Sequence, residues 1–185
     1  GIRDLVRSRG LGDVYKRQLW AFVPLLLARY AERGAALDVS LWSFFVIGAG
    51  ALGCIAGGLI SLRQGSARVA FAQLSASGIC CLVSPLFYFY APPSVFFAFL
   101  LFWGVVVVGD SPQFSALNAR FAPSTLVGSA LTIANCIGFS ITIVSIQVLN
   151  SLATSIDIAY LFVPLVIGPV FGLAAMRPLL TRRAA

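Results

Sequence analysis

The feature that most constrains this chain is a series of long apolar stretches that contain no charged residue. Residues 41–62 and 69–90 each run for twenty-two residues without a charge. Because an α-helix rises about 1.5 Å per residue, about 20 apolar residues are enough to cross the hydrocarbon core of a bilayer. With 59% apolar and 10% charged residues, the chain lacks the polar surface that a soluble domain needs. The sequence therefore predicts an all-α membrane protein.

Turn-forming residues divide the apolar sequence into six helices. Polar loops at residues 31–39 and 150–157 and the prolines Pro92, Pro93 and Pro123 mark the boundaries. The first apolar run, residues 19–30, is too short to span a bilayer alone, and we interpret it as the end of a longer helix. The predicted full spans are residues 41–62, 69–90, 94–120, 125–149 and 158–176.

The first eighteen residues, GIRDLVRSRGLGDVYKRQ, differ from everything that follows. They contain five of the thirteen Lys and Arg residues and show no apolar periodicity. Residues 8–18 resemble the in-frame translation of a transposon-type sequencing adapter, and residues 1–4 resemble the end of the flow-cell part of the same primer. Residues 5–7 occupy the place of the sample index. We interpret residues 1–18 as an adapter-derived artefact, with natural sequence expected from about Leu19 and its natural upstream part missing.

The basic residues predict an orientation in the membrane. Without residues 1–18 the chain has eight basic and four acidic residues, so the net charge falls from +7 to +4. These residues lie in loops and at the C-terminal end and not in one patch, which argues against nucleic acid as a partner. If the helices alternate in direction, six arginines fall on one side of the membrane and two on the other. The positive-inside rule then predicts that the C-terminus and the basic loop at residues 63–68 are cytoplasmic. The expected location is a bacterial inner membrane. The six are Arg63, Arg68, Arg120, Arg177, Arg182 and Arg183, and the two are Arg29 and Arg33.

Residues that carry enzyme or metal chemistry are scarce. The chain has no histidine. Its cysteines lie in apolar runs without CxxC spacing, so we interpret them as small buried hydrophobic residues and not as disulfides or metal ligands. No P-loop, GxSxG, HExxH or dinucleotide-binding glycine pattern is present. The sequence predicts no enzyme, no cofactor and no metal site. The four cysteines are Cys54, Cys80, Cys81 and Cys136.

The segment GLISLRQG at residues 58–65 carries a family resemblance. The loop signature of the major facilitator superfamily has a glycine, an acid, an arginine and a second glycine at this spacing. Gly58, Arg63 and Gly65 match it, whereas Leu62 stands where the acid is expected. Residues 109–114 and 127–130 also resemble the tenth and eleventh helices of such transporters.

Residues 19–183 therefore resemble the C-terminal half of a transporter of this superfamily. The resemblance implies a 3+3 inverted repeat of six helices and a second six-helix half upstream. It implies alternating-access transport of an unidentified small solute between the two halves, and it gives Gly58, Arg63, Gly65 and Arg68 a gating role at the cytoplasmic face. The expected partners are the lipid bilayer, the missing N-terminal half, the solute and a coupling proton.

The only carboxylate deep in an apolar run is Asp110. A charge at the centre of a membrane helix costs about 2.5–3.5 kcal/mol on insertion scales, so Asp110 is a functional candidate by default. It is interpreted as a proton- or cation-coupling group or as a contact for a polar substrate. The alternatives are a structural bond to serine or backbone groups and a pair with an arginine of the gating loop. Gln113, three residues later, lies on the same helix face, and Asn118 is a further polar residue of this helix.

Three polar residues of the fifth predicted helix form a stripe. Thr132, Asn135 and Thr142 recur at spacings of three and seven residues. Such stripes either hydrogen-bond neighbouring helices or line a translocation path. The second function class left open is a small self-contained membrane protein that acts as an integral-membrane enzyme or a scaffold, although its loops are short for an enzyme.

Overall fold

The computed structural model describes the backbone of residues 2–34 and 37–181 and the side chains of residues 16–34, 37–117, 119, 122–174 and 176. All regular structure in these residues is helical, which confirms the all-α prediction. The helices are α1 (Ile2–Ala31), α2 (Val39–Gln64), α3 (Ser66–Tyr90), α4 (Pro93–Phe121), α5 (Val127–Ala153) and α6 (Ile167–Thr181).

Four helices, α2 to α5, are long and apolar enough to cross a membrane. Their bounds lie within four residues of the predicted spans at each end. A 3₁₀ turn at Ser124–Leu126 precedes α5 and follows Pro123. The prediction of a multi-pass membrane protein is therefore confirmed at the level of helix length and composition.

The first helix is longer than its apolar run. Helix α1 is continuous from Ile2 to Ala31, through the adapter-like residues and into the apolar residues 19–30. Residues 2–18 contain no proline, so nothing in the backbone stops a helix from extending across them. Their charges explain why α1 is not among the helices that are apolar enough to span.

The predicted last span, residues 158–176, is not one continuous α-helix. The 3₁₀ turns Ile158–Tyr160 and Val163–Val166 precede α6. Asp157 begins the first turn by accepting a hydrogen bond from the Ala159 backbone N–H at 2.9 Å. Pro164, which has no backbone N–H, lies in the first turn of the second.

The helices pack in two groups of three that touch each other. Helix α4 packs most extensively on α2 and then on α3, and α1 packs most extensively on α5 and then on α6. The two groups meet where α1 contacts α4 and where α3 contacts α6. An exchange of α1 with α4, of α2 with α5 and of α3 with α6 converts the α4–α2 pairing into the α1–α5 pairing. It likewise converts the α4–α3 pairing into the α1–α6 pairing.

The α2–α4 contact is made by glycines on both helices. Gly50, Gly53 and Gly57 are buried along one side of α2. A Cβ atom at Gly53 would overlap the carbonyl group of Val105 on α4, and one at Gly104 would overlap the carbonyl group of Val46 on α2. The two backbones therefore touch directly, which only small residues permit between helices in lipid.

Stacked aromatic rings join the N-terminal end of α4 to α1 and to α2. The Tyr30 ring of α1 stacks on the Phe96 ring of α4 with centroids 4.4 Å apart. The Trp42 ring of α2 stacks on Phe97 of α4 at 4.2 Å. Offset ring pairs of this kind contribute about 0.5–1.5 kcal/mol beyond their buried area, so they hold the start of α4 against both α1 and α2.

Replacement of Gly53 by alanine is expected to destabilise the helix bundle. The new methyl group meets the Val105 backbone, which cannot rotate away, and overpacking of this kind costs about 1–3 kcal/mol. Gly48→Ala is the matched control on α2, because a Cβ atom there meets nothing within 4 Å. Thermal unfolding of the purified protein in nanodiscs, followed by circular dichroism, should show a lower midpoint for Gly53→Ala only. Equal midpoints for the two variants would contradict the direct backbone contact.

Candidate functional site

Asp110 lies buried in α4, in the part of that helix that faces other helices. Its exposed fraction is 1%, and Gln113, one turn later, is 2% exposed. The hydroxyl of Ser111 lies 3.4 Å from Oδ1 of Asp110 and can donate to it. Burial of a carboxylate inside an apolar helix requires polar neighbours, since the isolated charge is costly to remove from water. Asp110 and Gln113 are thus the two most buried polar residues described in α4, and they lie on one helix face, as the sequence predicted.

Pro112 gives α4 a backbone carbonyl with no helical donor. Proline has no backbone N–H, so the carbonyl of Val108 receives no hydrogen bond from within α4 at this position. In the structure the thiol of Cys54 on α2 lies 3.8 Å from that carbonyl oxygen and donates to it. Thiols are weak donors, and this contact joins α2 to α4 two residues before Asp110.

Gln73 of α3 is a further polar residue at this point, and the sequence analysis missed it. Its Nε2 lies 3.5 Å from the carbonyl oxygen of Gly53 on α2. A Cβ atom at Gly57 would lie 2.8 Å from the same Nε2, and one at Gly109 would overlap it. Gln73 therefore fills the space that glycines leave between α2 and α4, next to Asp110. The available signal was that Gln73 is the only amide in the uncharged run 69–90.

The amide oxygen of Gln73 has no hydrogen-bond partner among the described residues, although it is buried. An unsatisfied buried acceptor costs about 1–3 kcal/mol. Gln73, Cys54 and the Val108 carbonyl thus form a polar contact where α2, α3 and α4 meet.

Three consecutive residues of α1 reach polar groups on α4 and α5. The Lys16 ammonium donates to the Ser111 hydroxyl, and the Gln18 amide donates to the hydroxyl of Ser145 on α5. Nη1 of Arg17 lies 3.1 Å from the hydroxyl oxygen of Thr142. The polar side chains of α4 and α5 thus face α1.

The three residues of the predicted polar stripe on α5 differ in their exposure. Thr142 is buried and also donates to the Gly138 carbonyl at 2.8 Å, whereas Thr132 is exposed and donates to the Gly128 carbonyl at 3.0 Å. Asn135 is half-buried. Because each residue turns the helix by about 100°, Thr132 is rotated away from the other two. Asn118 of α4, the remaining predicted polar residue, has a side chain outside the described residues.

The predicted basic loop at residues 63–68 is shorter than expected, because only Gly65 lies outside the helices. Helix α2 ends at Gln64 and α3 begins at Ser66. Gly65 has φ +86° and ψ 143°, a conformation that only glycine adopts without strain. Arg63 and Arg68 are exposed on either side of it. Gly58 lies two turns earlier on α2, where a Cβ atom would meet nothing within 4 Å.

The cysteines are free, and one of them differs from its prediction. Cys80 and Cys81 are buried, and Cys54 is half-buried. Cys136 is exposed on α5, so its prediction as a buried residue is wrong. The reason is that α5 contacts its neighbours along a narrow face. Among the described residues, no three His, Cys, Asp or Glu side chains lie close enough together to hold a metal ion.

No family model matches this chain, and no curated protein and no solved structure matches it either. The burial and contacts of individual residues and the packing of the helices are therefore the basis for a functional proposal.

Replacement of Gly65 by alanine is expected to strain the α2–α3 turn. A side chain in this backbone region costs about 1–3 kcal/mol, and the unfolding midpoint should fall accordingly. Gly58→Ala is the control, because that position is helical and open, and alanine is favoured over glycine in helices. Thermal unfolding in nanodiscs compares the two. A midpoint for Gly65→Ala at or above that of the unchanged protein would show that the turn does not need its glycine.

Proposed function

We propose that this chain is the C-terminal half of a secondary transporter of the major facilitator type, which moves a small solute across the bacterial inner membrane by alternating access. The observation that carries the proposal is the burial of Asp110 within α4, directly after Gly109, which packs against α2 and Gln73 of α3. Ionisable residues inside membrane helices are costly, and they commonly mark ion or substrate paths.

The pairing of the helices supports the proposal. An inverted repeat of three helices makes each helix of the first triplet equivalent to one of the second. Such a repeat requires the α4–α2 pairing to correspond to the α1–α5 pairing, and the α4–α3 pairing to correspond to the α1–α6 pairing. These are the four most extensive helix contacts in the structure.

The distribution of burial also supports a missing second half. Only 22% of the most apolar part of α2 and 17% of that of α5 are buried, against 44% and 50% for α3 and α4. Helices α2 and α5 correspond to each other in the proposed repeat. Lipid covers part of their exposed faces, and the N-terminal half of the transporter would cover the rest.

In this proposal Asp110 couples solute movement to a proton. Burial away from water costs more free energy for a charged carboxylate than for a neutral carboxyl group. Proton binding to Asp110 therefore favours the conformation in which Asp110 is shielded from water. Ser111 donates to the charged form, and Gln73 adds an unpaired acceptor nearby. Residues 1–18 are taken as adapter-derived, and the part from Leu19 onward is not expected to transport by itself.

The proposed orientation is testable with reporter fusions. Alkaline phosphatase fused after Pro92 or Ser155 should be active, because the positive-inside rule puts these turns in the periplasm. Fusions after Gly65, after Pro123 and at the C-terminus should be inactive. A green fluorescent protein fused at the same five positions provides the complementary control, since it fluoresces only in the cytoplasm. Active phosphatase at Gly65 would overturn the orientation.

The role of Asp110 is testable in the complete protein, whose upstream reading frame is recovered from an adapter-free assembly of the locus. The protein is placed in proteoliposomes, and currents on a solid-supported membrane are recorded while sugars, amino acids and carboxylic acids are applied. A proton-driven current is expected from the unchanged protein and should be lost in Asp110→Asn, which cannot release a proton.

Asp38→Asn is the matched control for Asp110→Asn. Asp38 is an exposed residue that caps α2 by accepting from the Leu41 backbone N–H at 3.0 Å, and asparagine caps helices equally well. An unchanged current in Asp110→Asn would remove Asp110 from coupling. An upstream frame with a start codon just before Leu19, or without further membrane spans, would favour a self-contained membrane protein instead.

A further inference from the structure

A cavity at one end of the bundle is independent of the Asp110 site. It has a volume of about 430 Å³ and lies where α1, α3 and α5 end. It is thus at the end of α3 opposite to Gly65. Its polar and aromatic lining consists of Arg29, Glu32, Arg33, Tyr88, Phe89 and Asp157.

Arg33 lines both this cavity and a smaller one. A second cavity of about 280 Å³ is also lined by Arg33, Tyr88 and Phe89. The two cavities therefore share one wall, and the side chain of Arg33 is its only charged member. Arg33 is exposed and lies in the turn after α1, so its side chain can rotate without unpacking a helix. Such a rotation would join the two cavities.

The groups around the Arg33 guanidinium favour a positive charge. Its Nη1 donates to the backbone carbonyl of Tyr88 at 3.0 Å. Its central carbon lies 5.0 Å from the Tyr88 ring centroid and 5.3 Å from the Phe89 ring centroid. Both distances fall within the 6 Å range of cation–π attraction. One carbonyl oxygen and two aromatic rings therefore bind a positive charge here. In this structure the charge is the guanidinium of Arg33.

The electrostatics of the cavity favour a cation over an anion. The charges of Arg29 and Glu32 offset each other, since these side chains form an ion pair at 3.2 Å. Arg33 and Asp157 contribute one further charge of each sign. The remaining contribution comes from the C-terminal ends of α1, α3 and α5, each of which carries about half a negative charge. An anion would therefore meet three repulsive helix ends.

We propose that this cavity is a binding site for a small organic cation, which competes with Arg33 for the Tyr88 carbonyl and the two rings. The ligand class is a guanidinium, a protonated amine or a quaternary ammonium group on a small apolar body. When the ligand binds, Arg33 rotates out, and Asp157 balances the charge of the ligand. The proposal does not depend on transport, because it concerns binding to the residues of this chain alone.

The test measures binding of benzyltrimethylammonium to the purified full chain in nanodiscs by isothermal titration calorimetry, with empty nanodiscs subtracted. Arg33→Ala should bind this probe more tightly than the unchanged protein. If Arg33 fills the site for nine-tenths of the time, its removal raises the affinity about tenfold. Benzylsulfonate, an anion of similar size, should bind to neither protein.

The aromatic contribution is tested in the Arg33→Ala background. Phe89→Leu removes one ring and keeps an apolar side chain, so the affinity should fall about two- to fivefold. Phe102→Leu on α4 is the control, because Phe102 is an exposed aromatic residue outside the cavity. Circular dichroism verifies that the variants are equally helical.

Three results would overturn the proposal. The first is an affinity for benzyltrimethylammonium that stays the same or falls in Arg33→Ala. The second is an equal loss in Phe89→Leu and Phe102→Leu, which would indicate non-specific partition. The third is preferential binding of benzylsulfonate that disappears in Arg33→Ala, which would assign the cavity to an anion held by arginine.

Discussion

The rest of the structure depends on the direct contact between the backbones of α2 and α4. Gly53 and Gly104 bring each helix against a carbonyl group of the other, at Val105 and Val46. In lipid the hydrophobic effect does not drive helices together, so close packing and hydrogen bonds must do so. This contact also brings Cys54 within reach of the Val108 carbonyl that Pro112 leaves without a helical donor.

The polar junction follows from the same contact. Because glycines leave space on both helices, the amide of Gln73 on α3 fits between them, and it lies against Gly109, the residue before Asp110. Lipid would surround these groups if the helices separated. Their burial is therefore a reason for the helices to stay together. The cavity at the other end of α3 has no part in this arrangement, since it is built from helix ends and loop charges.

Much of the fold could be predicted from local features. The four spans were predicted because an apolar run of about 20 residues with few or no charges has few alternatives to a membrane helix, and the α2–α3 turn was predicted from the polar and basic residues 63–68. The 3₁₀ turns at the start of the last predicted span were missed, since apolar composition does not reveal that Asp157 begins one turn and that Pro164 lies in the next. The exposure of Cys136 and the position of Gln73 were missed for another reason. Both depend on which side of a helix meets a neighbour, and helices that are apolar all round carry no periodic pattern to indicate that side.

The sequence by itself determined the class of protein, the positions of the spans and the presence of one carboxylate, Asp110, inside them. The tertiary structure alone decided which residues surround that carboxylate, which threonine of α5 is buried, and that Arg33 occupies a cation site between Tyr88 and Phe89. The physical reason is the range of the interactions. Transfer into lipid depends on the composition of one segment, whereas a site joins side chains from three or four helices that are far apart in the chain.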